Sequence, residues 1–152
     1  MSVLGDRTEV AAGSFTGGPA RVRLRRRLDF VDTDQSGRWH FTAALRLFEA
    51  AETELWERLG GKDQMGDLPR VHVETSYRRG VRSPQVLAVD VEVARVGRTS
   101  LTYQYTISDD EGVCAEGRVV TASLDPASGR PRPIPDHLRT VLETAGTVPE
   151  PA

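Results

Sequence analysis

The stretch Asp32-Thr33-Asp34-Gln35-Ser36-Gly37-Arg38-Trp39-His40-Phe41 puts a carboxylate, Asp34, on a Gly-containing turn. That turn leads from an alternating strand into an amphipathic helix. A helix start carries unpaired N–H groups and partial positive charge. A carboxylate beside such donors can attack an acyl group, or direct water onto it, while the donors hold the oxygen that becomes negative. An aspartate is ionised at neutral pH without special tuning. The same residue type also forms Asx-turns and helix caps, and spacing alone does not choose between these roles. Asp32 is read as the structural member of the pair, bonding turn amides.

Other residue types add to this segment. His40 lies six positions after Asp34 and can shuttle protons, fill a pocket wall or bond a carbonyl. Trp39 and Phe41 precede the helix and suit an acyl pocket, whereas Phe48 and Trp56 sit at helical spacing and suit a core. Arg78, Arg79 and Arg82 cluster near a strand end, Arg95 and Arg98 flank a tight turn, and Arg130 and Arg132 lie on a late loop. Guanidinium groups bind phosphate in a forked geometry, though each of these is also an ordinary surface charge. Cys114 has no basic neighbour in sequence to make its thiol reactive. His72 and His137 have no partner at recognisable spacing, and no Cys/His cluster points to a metal. No glycine-rich phosphate loop is present.

The elements that must position these groups follow from periodicity. From Arg21, the residues Val22, Leu24, Leu28 and Phe30 alternate with charges, with Arg26 breaking the series, which predicts a half-buried strand. Thr42 or a neighbour starts a helix that runs to about Leu59, and Gly60-Gly61 stops it. Ala44, Leu45, Phe48, Ala51, Leu55, Trp56 and Leu59 form its apolar stripe. Glu49 sits beside that stripe, where burial demands a partner or a function. A salt bridge to Arg46 is one such partner, and Glu52 is read as partly exposed. Strands are predicted over Arg70 to Tyr77, Gln85 to Val96, Thr99 to Ser108 and Val113 to Leu124. The last three are joined by short turns and read as antiparallel neighbours. Ile134-Pro135-Asp136 opens a short helix through about Glu143.

The chain has 152 residues, 38% hydrophobic and 28% charged, with a net charge of −2. That fits one soluble domain with a real core and excludes a broad nucleic-acid-binding field. One cysteine forms no internal disulfide, and no apolar run approaches membrane-spanning length. A cytoplasmic protein without a secretory signal is the simplest expectation. Residues 1–20 are read as a flexible tail, 21–145 as the folded domain and 146–152 as a C-terminal tail. A single long helix covers only one face of such a sheet, giving an α+β layer. The other face is expected to need cover, which self-association can supply.

Several segments together resemble a known family. Phe30-Val-Asp-Thr-Asp-Gln-Ser-Gly, Arg46-Leu-Phe-Glu-Ala-Ala-Glu and Leu59-Gly60 are similar to the start of a hotdog-fold acyl-CoA thioesterase of the 4-hydroxybenzoyl-CoA thioesterase type. Val96-Gly-Arg-Thr-Ser-Leu101 and Ala115-Glu-Gly117 resemble its middle strands. Gly129-Arg-Pro-Arg-Pro-Ile-Pro135 resembles the stretch before its last helix. The likeness covers roughly residues 21 to 143. His40 and Phe41 stand where many relatives carry Asn or Tyr, and Ser83-Pro-Gln-Val86 lacks a Gly-Asp pair that many have.

The resemblance implies an antiparallel sheet wrapped around one long helix, with homodimers often paired into homotetramers and active sites at the dimer interface. It implies Asp34 as the catalytic carboxylate and the backbone N–H at about Phe41 as oxyanion donor. Other hotdog enzymes take their carboxylate from the helix, which makes Glu49 the reserve. The implied substrate is an acyl-CoA or acyl-carrier protein, with Trp39 against the acyl group and Arg78, Arg79, Arg82, Arg95 and Arg98 toward phosphate. No separate cofactor is implied. An enoyl-thioester hydratase and a non-catalytic acyl-CoA-binding or assembly module are the other readings. The first lacks its Asp-x-Asn-Pro-x-His element, and fold alone does not exclude the second.

Overall fold

The computed structural model describes residues 17–61, 63 and 68–149. The expected tail residues 1–16 and 150–152 lie outside them. Five strands form one sheet: β1 (Arg21–Leu28), β2 (Arg70–Tyr77), β3 (Gln85–Val96), β4 (Ser100–Asp109) and β5 (Gly112–Ala122). The order is β1-β3-β4-β5-β2, with every pairing antiparallel. A long helix, α1 (Ala43–Arg58), and a short one, α2 (Asp136–Thr144), complete the fold. This is the α+β hotdog arrangement that the resemblance implies.

The inner face of the sheet is apolar because strand side chains alternate. Val22, Leu24 and Leu28 on β1, Leu87, Val89, Val91 and Val93 on β3, and Leu101 and Ile107 on β4 are buried. They meet Ala44, Phe48, Ala51, Leu55 and Trp56 of α1, whose helical spacing turns them to one side. Phe48 packs against Tyr103 and Tyr105, with ring centroids 5.6 and 5.3 Å away. Trp56 Nε1 donates to the Tyr103 hydroxyl at 2.9 Å, so the buried indole keeps a partner. α1 ends at Leu59, with Gly60 and Gly61 at φ +106° and +105°.

Several expectations need correction. Phe30 does not continue β1: it opens a single 3-10 turn, Phe30–Asp32, and is 85% exposed. Glu52 is buried, because Arg70 reaches in from β2 and pairs with it at 2.5 Å. Glu49 is exposed and faces Arg70 at 3.5 Å, while Arg46 turns to Asp32 at 3.1 Å. On the outer face of the sheet ion pairs join Arg23 to Asp90, Arg118 to Glu74 and Arg78 to Glu116, each at 2.7 Å.

The uncovered apolar side chains lie elsewhere. α1 packs on β1 and β3, while β2 is an edge strand on which Val71, Val73 and Tyr77 are exposed. At the other end of the sheet, residues of both expected tails are held. The Ala20 amide donates to Leu142 O, Gly146 N to Gly18 O and Val148 N to Arg21 O, each within 3.0 Å. Ala20 and Val148 are buried, and Thr147 forms a parallel bridge to Arg21.

Candidate active site

The segment between β1 and α1 is a small hairpin. Thr33 pairs with Trp39, Asp34 N donates to Arg38 O, and Gly37 N donates to Asp34 O. Gly37 takes φ +78°, the left-handed position that closes such a turn and that a side chain would strain. The Asp34 side chain forms the Asx-turn. Its Oδ1 accepts from Ser36 N at 2.8 Å and from Ser36 Oγ at 2.5 Å. Among the described residues nothing bonds its Oδ2. The Ser36 hydroxyl, then the Ser36 amide, hold the exposed Asp34 carboxyl below the ordinary aspartate range. The turn role and the reactive role are therefore compatible, since one oxygen is tied and the other is open.

Asp32 is structural, as expected. Its Oδ2 accepts from Asp29 N at 2.9 Å, its backbone carbonyl accepts from His40 N at 2.7 Å, and its Oδ1 faces Arg46. These contacts fix the entry to α1.

The next residues set the helix mouth. Trp39 N donates to Val81 O, Thr42 N to His40 Nδ1, and Ala43 N to His40 O. With His40 N bonded to Asp32, the Phe41 amide is the one N–H of the run 39–43 without an acceptor among the described residues. Ala43 holds the His40 carbonyl from the helix side at 2.8 Å. A trans peptide directs N–H and C=O oppositely, so the Phe41 N–H points out of the N-terminal end of the helix. The Phe41 carbonyl in turn accepts from the Tyr77 hydroxyl. His40 works here as a cap: its Nδ1 meets Thr42 N and Thr42 Oγ1, and its ring stacks on Phe41 at 4.5 Å.

A cleft of about 400 Å³ opens over this hairpin, lined by Asp34, Ser36, Arg38, Trp39, Phe41, Tyr77, Arg78, Arg79 and Gly80. Trp39 is a buried wall, edge-on to Tyr77 at 5.7 Å. Arg79 is held by Asp109 and by Glu111 at 2.9 Å. Burial alone would raise the Asp109 carboxyl, but Arg79 and the Glu111 amide together bring it below its usual range. The cleft thus gathers Asp34, Trp39, Phe41, Arg78 and Arg79, with Arg82 beside it through its backbone bridge to Arg38.

It does not gather the others. Glu49 lines a separate hollow of about 220 Å³ with Thr42, Leu45, Arg46, Phe48, Arg70, Val73 and Val119. Arg95 and Arg98 stand at the β3–β4 turn, and Arg130 on the late loop, outside both linings. Cys114 is buried, and burial followed by the neighbouring Asp109 pushes its thiol up to about 11. Sequence reading passes over Ser36, Arg38, Tyr77 and Gly80. Only Ser36 carries a local signal, two residues after an Asp on a turn.

Among the described residues no group of three His, Cys, Asp or Glu side chains is placed to hold a metal, and no helix is long and apolar enough to cross a membrane.

A family model described as the thioesterase superfamily matches residues 36–116, more than half of the chain. A 1,4-dihydroxy-2-naphthoyl-CoA hydrolase of Synechococcus elongatus is 25% identical over 133 residues, covering 82% of this chain and 96% of that protein. A structure described as a predicted thioesterase from Bacillus stearothermophilus superposes with a TM-score of 0.73 at 27% identity, covering 80% of this chain and 93% of that one. A Pseudomonas aeruginosa protein superposes with a TM-score of 0.70 at 29% identity, covering 79% and 87%.

Proposed function

The chain belongs to the thioesterase superfamily, and from that premise we propose that it hydrolyses an acyl-CoA thioester with Asp34 as the reacting carboxylate and the Phe41 amide as oxyanion donor. The observation that carries this reading is that Asp34 and Phe41 line one cleft, where among the described residues one carboxylate oxygen has no bond and the Phe41 amide has no acceptor.

A thioester carbonyl is electrophilic and its thiolate leaves readily. Asp34 Oδ2 either bonds the carbonyl carbon or takes a proton from a water that does so. In both cases the carbonyl oxygen becomes negative and the Phe41 N–H donates to it. One such donor is worth about 3 kcal/mol of barrier. Direct attack expels thiolate and leaves an Asp34–acyl anhydride, which water then opens. The water route gives acid and thiol in one addition–elimination sequence. Label from ¹⁸O-water in the Asp34 carboxylate after a single turnover marks the direct route with the anhydride opened at the Asp34 carbon, and trapping of the acyl-enzyme by hydroxylamine marks it when water attacks the acyl carbon. The carboxylate's place ahead of α1 favours the 4-hydroxybenzoyl-CoA type over enzymes that act from the helix, with Glu49 held in reserve.

The proposal extends to assembly and setting. A second copy of the chain meets the bare β2 edge and covers Val71, Val73 and Tyr77, forming a homodimer that pairs again into a homotetramer. Sedimentation velocity tests both steps. The single, buried thiol suits the reducing cytoplasm.

The deciding experiment is a thiol-release screen, starting with aromatic acyl-CoA esters because the curated relatives are named for one, then aliphatic esters and acyl-carrier protein. Asp34→Asn is expected to lower kcat by about a thousandfold or more. Equal rates would remove Asp34 from the mechanism. Binding without thiol release favours an acyl-binding module, and loss of enoyl absorbance without thiol release favours hydration.

A further inference from the structure

We propose that Tyr105 is a positioning residue for the reaction: it holds the edge strand β2 at the reach from which Tyr77 bonds the Phe41 carbonyl. This rests on the thioesterase reading and deepens it, because it adds to the oxyanion machinery a buried group outside the cleft lining.

The sheet alone secures β2 on one side. Among the described residues its ladder runs to β5 only, and α1 packs chiefly on β1 and β3. Side chains must tie the strand to the helix. Arg70 does so at one end through Glu52, and Tyr77 does so at the other through Phe41 O. Tyr105 supplies the tie between them, and three residues in register make it. Tyr105 on β4 and Thr75 on β2 both stand opposite Gly117 on β5. A Cβ on Gly117 would stand 2.8 Å from the Tyr105 hydroxyl oxygen, 2.9 Å from its Cε1 and 2.1 Å from Glu74 O. The missing side chain leaves the space through which the phenol crosses β5, and its hydroxyl there hydrogen-bonds that of Thr75. Phe48 of α1 packs on the same ring, with centroids 5.3 Å apart. One buried side chain therefore meets the helix with its ring and the edge strand with its hydroxyl. Thr75 and Tyr77 are two residues apart on one strand and share a face, so fixing the first places the second. A displacement of about 1 Å breaks a hydrogen bond such as that of Tyr77 and can slow a reaction by orders of magnitude. The two phenols are close enough that Tyr105 adds to the rise that burial imposes on the Tyr77 hydroxyl.

Tyr105→Phe and Thr75→Val each remove one hydroxyl of the tie. Each is expected to lower kcat about fivefold with KM within about twofold. Thr75→Ser keeps the hydroxyl and should stay within about twofold of wild type in both. In a Tyr77→Phe background the bond to Phe41 is already gone, so Tyr105→Phe should add less than about twofold. An unchanged kcat in Tyr105→Phe overturns the proposal. A loss of the same size with and without the Tyr77 hydroxyl overturns it too, because it marks a general structural role. A second readout needs no turnover. The chain has three tyrosines, Tyr77, Tyr103 and Tyr105, so labelling with ¹³Cζ-tyrosine gives three signals. Thr75→Val is expected to move the Tyr77 signal toward that of free tyrosine and to leave Tyr103 in place. A Tyr77 signal that stays where it was overturns the proposal. Should wild type release no thiol, the thioesterase reading fails separately, and the Tyr77 signal still decides whether the tie to Tyr105 holds it.

Discussion

The Tyr77 hydroxyl, on the edge strand β2, donates to the backbone carbonyl of Phe41 at the mouth of α1. Ala43 fixes the peptide before Phe41, and Tyr77 fixes the peptide after it. The free Phe41 N–H is thus clasped from both sides. Tyr77→Phe keeps the ring against Trp39 and removes only this clasp. The expected outcome is a fall in kcat of about tenfold with KM within about twofold. Affinity for a tetrahedral trifluoromethyl-ketone analogue of the CoA ester should fall in parallel. A loss in KM alone would show that Tyr77 contacts substrate instead.

Ser36 sets the acidity of Asp34. Its hydroxyl and amide favour the charged form, so the carboxyl stays ionised below the ordinary aspartate range. The acid limb that Asp34 imposes on kcat/KM should therefore lie below the ordinary aspartate range. Ser36→Ala removes the larger of the two bonds and should move that limb to higher pH. The linked stability has the same sign: it is present above the unfolded-state value and is lost as pH falls through the folded one. A pH–rate profile in which Ser36→Ala leaves the limb in place would disprove the assignment.

Glu52 and Arg70 are unequal partners, because Glu52 is buried and Arg70 is one-third exposed. Removing Arg70 strands a carboxylate in the core. Removing the Glu52 charge leaves a cation that still meets Glu49 and water. Arg70→Ala should cost about 2–3 kcal/mol and Glu52→Gln about 1. Thermal or urea unfolding reads both, and the reverse order would mean that Arg70 does not supply the partner.

Much of this is legible from the sequence because it is local. The turn at Asp34-Gln35-Ser36-Gly37, the start of α1 near Thr42 and its stop at Gly60-Gly61 each depend on a few adjacent residues. The alternation that marks β3, β4 and β5 is likewise local. What escapes is long-range. Tyr77 and Phe41 are 36 positions apart, and nothing in either neighbourhood announces the contact. The burial of Glu52 depends on Arg70 arriving from another strand, which helical periodicity does not encode. Phe30 continues the alternation of β1 on paper, but Asp29 and Asp32 exchange capping bonds and curl the chain into a 3-10 turn first.

Cys114 gives a control on the chemistry. Its thiol is buried and pushed up to about 11, so it remains protonated through neutral pH. Native protein at pH 8 should resist iodoacetamide and keep full activity, while the unfolded chain should take up one equivalent. Inactivation in step with native labelling would place the thiol in the reaction.

The two rims of the sheet are finished differently. Residues 146–148 lie along the start of β1 and occupy backbone groups there, whereas β2 carries no such cover among the described residues. The cover on β1 is confined to the Arg21 end of the strand. In the proposed dimer each molecule uses the edge that carries exposed Val71, Val73 and Tyr77, so the pairing leaves no free copy of that edge to extend. Sequestering one strand in this way gives the fold protection against growing into a fibre.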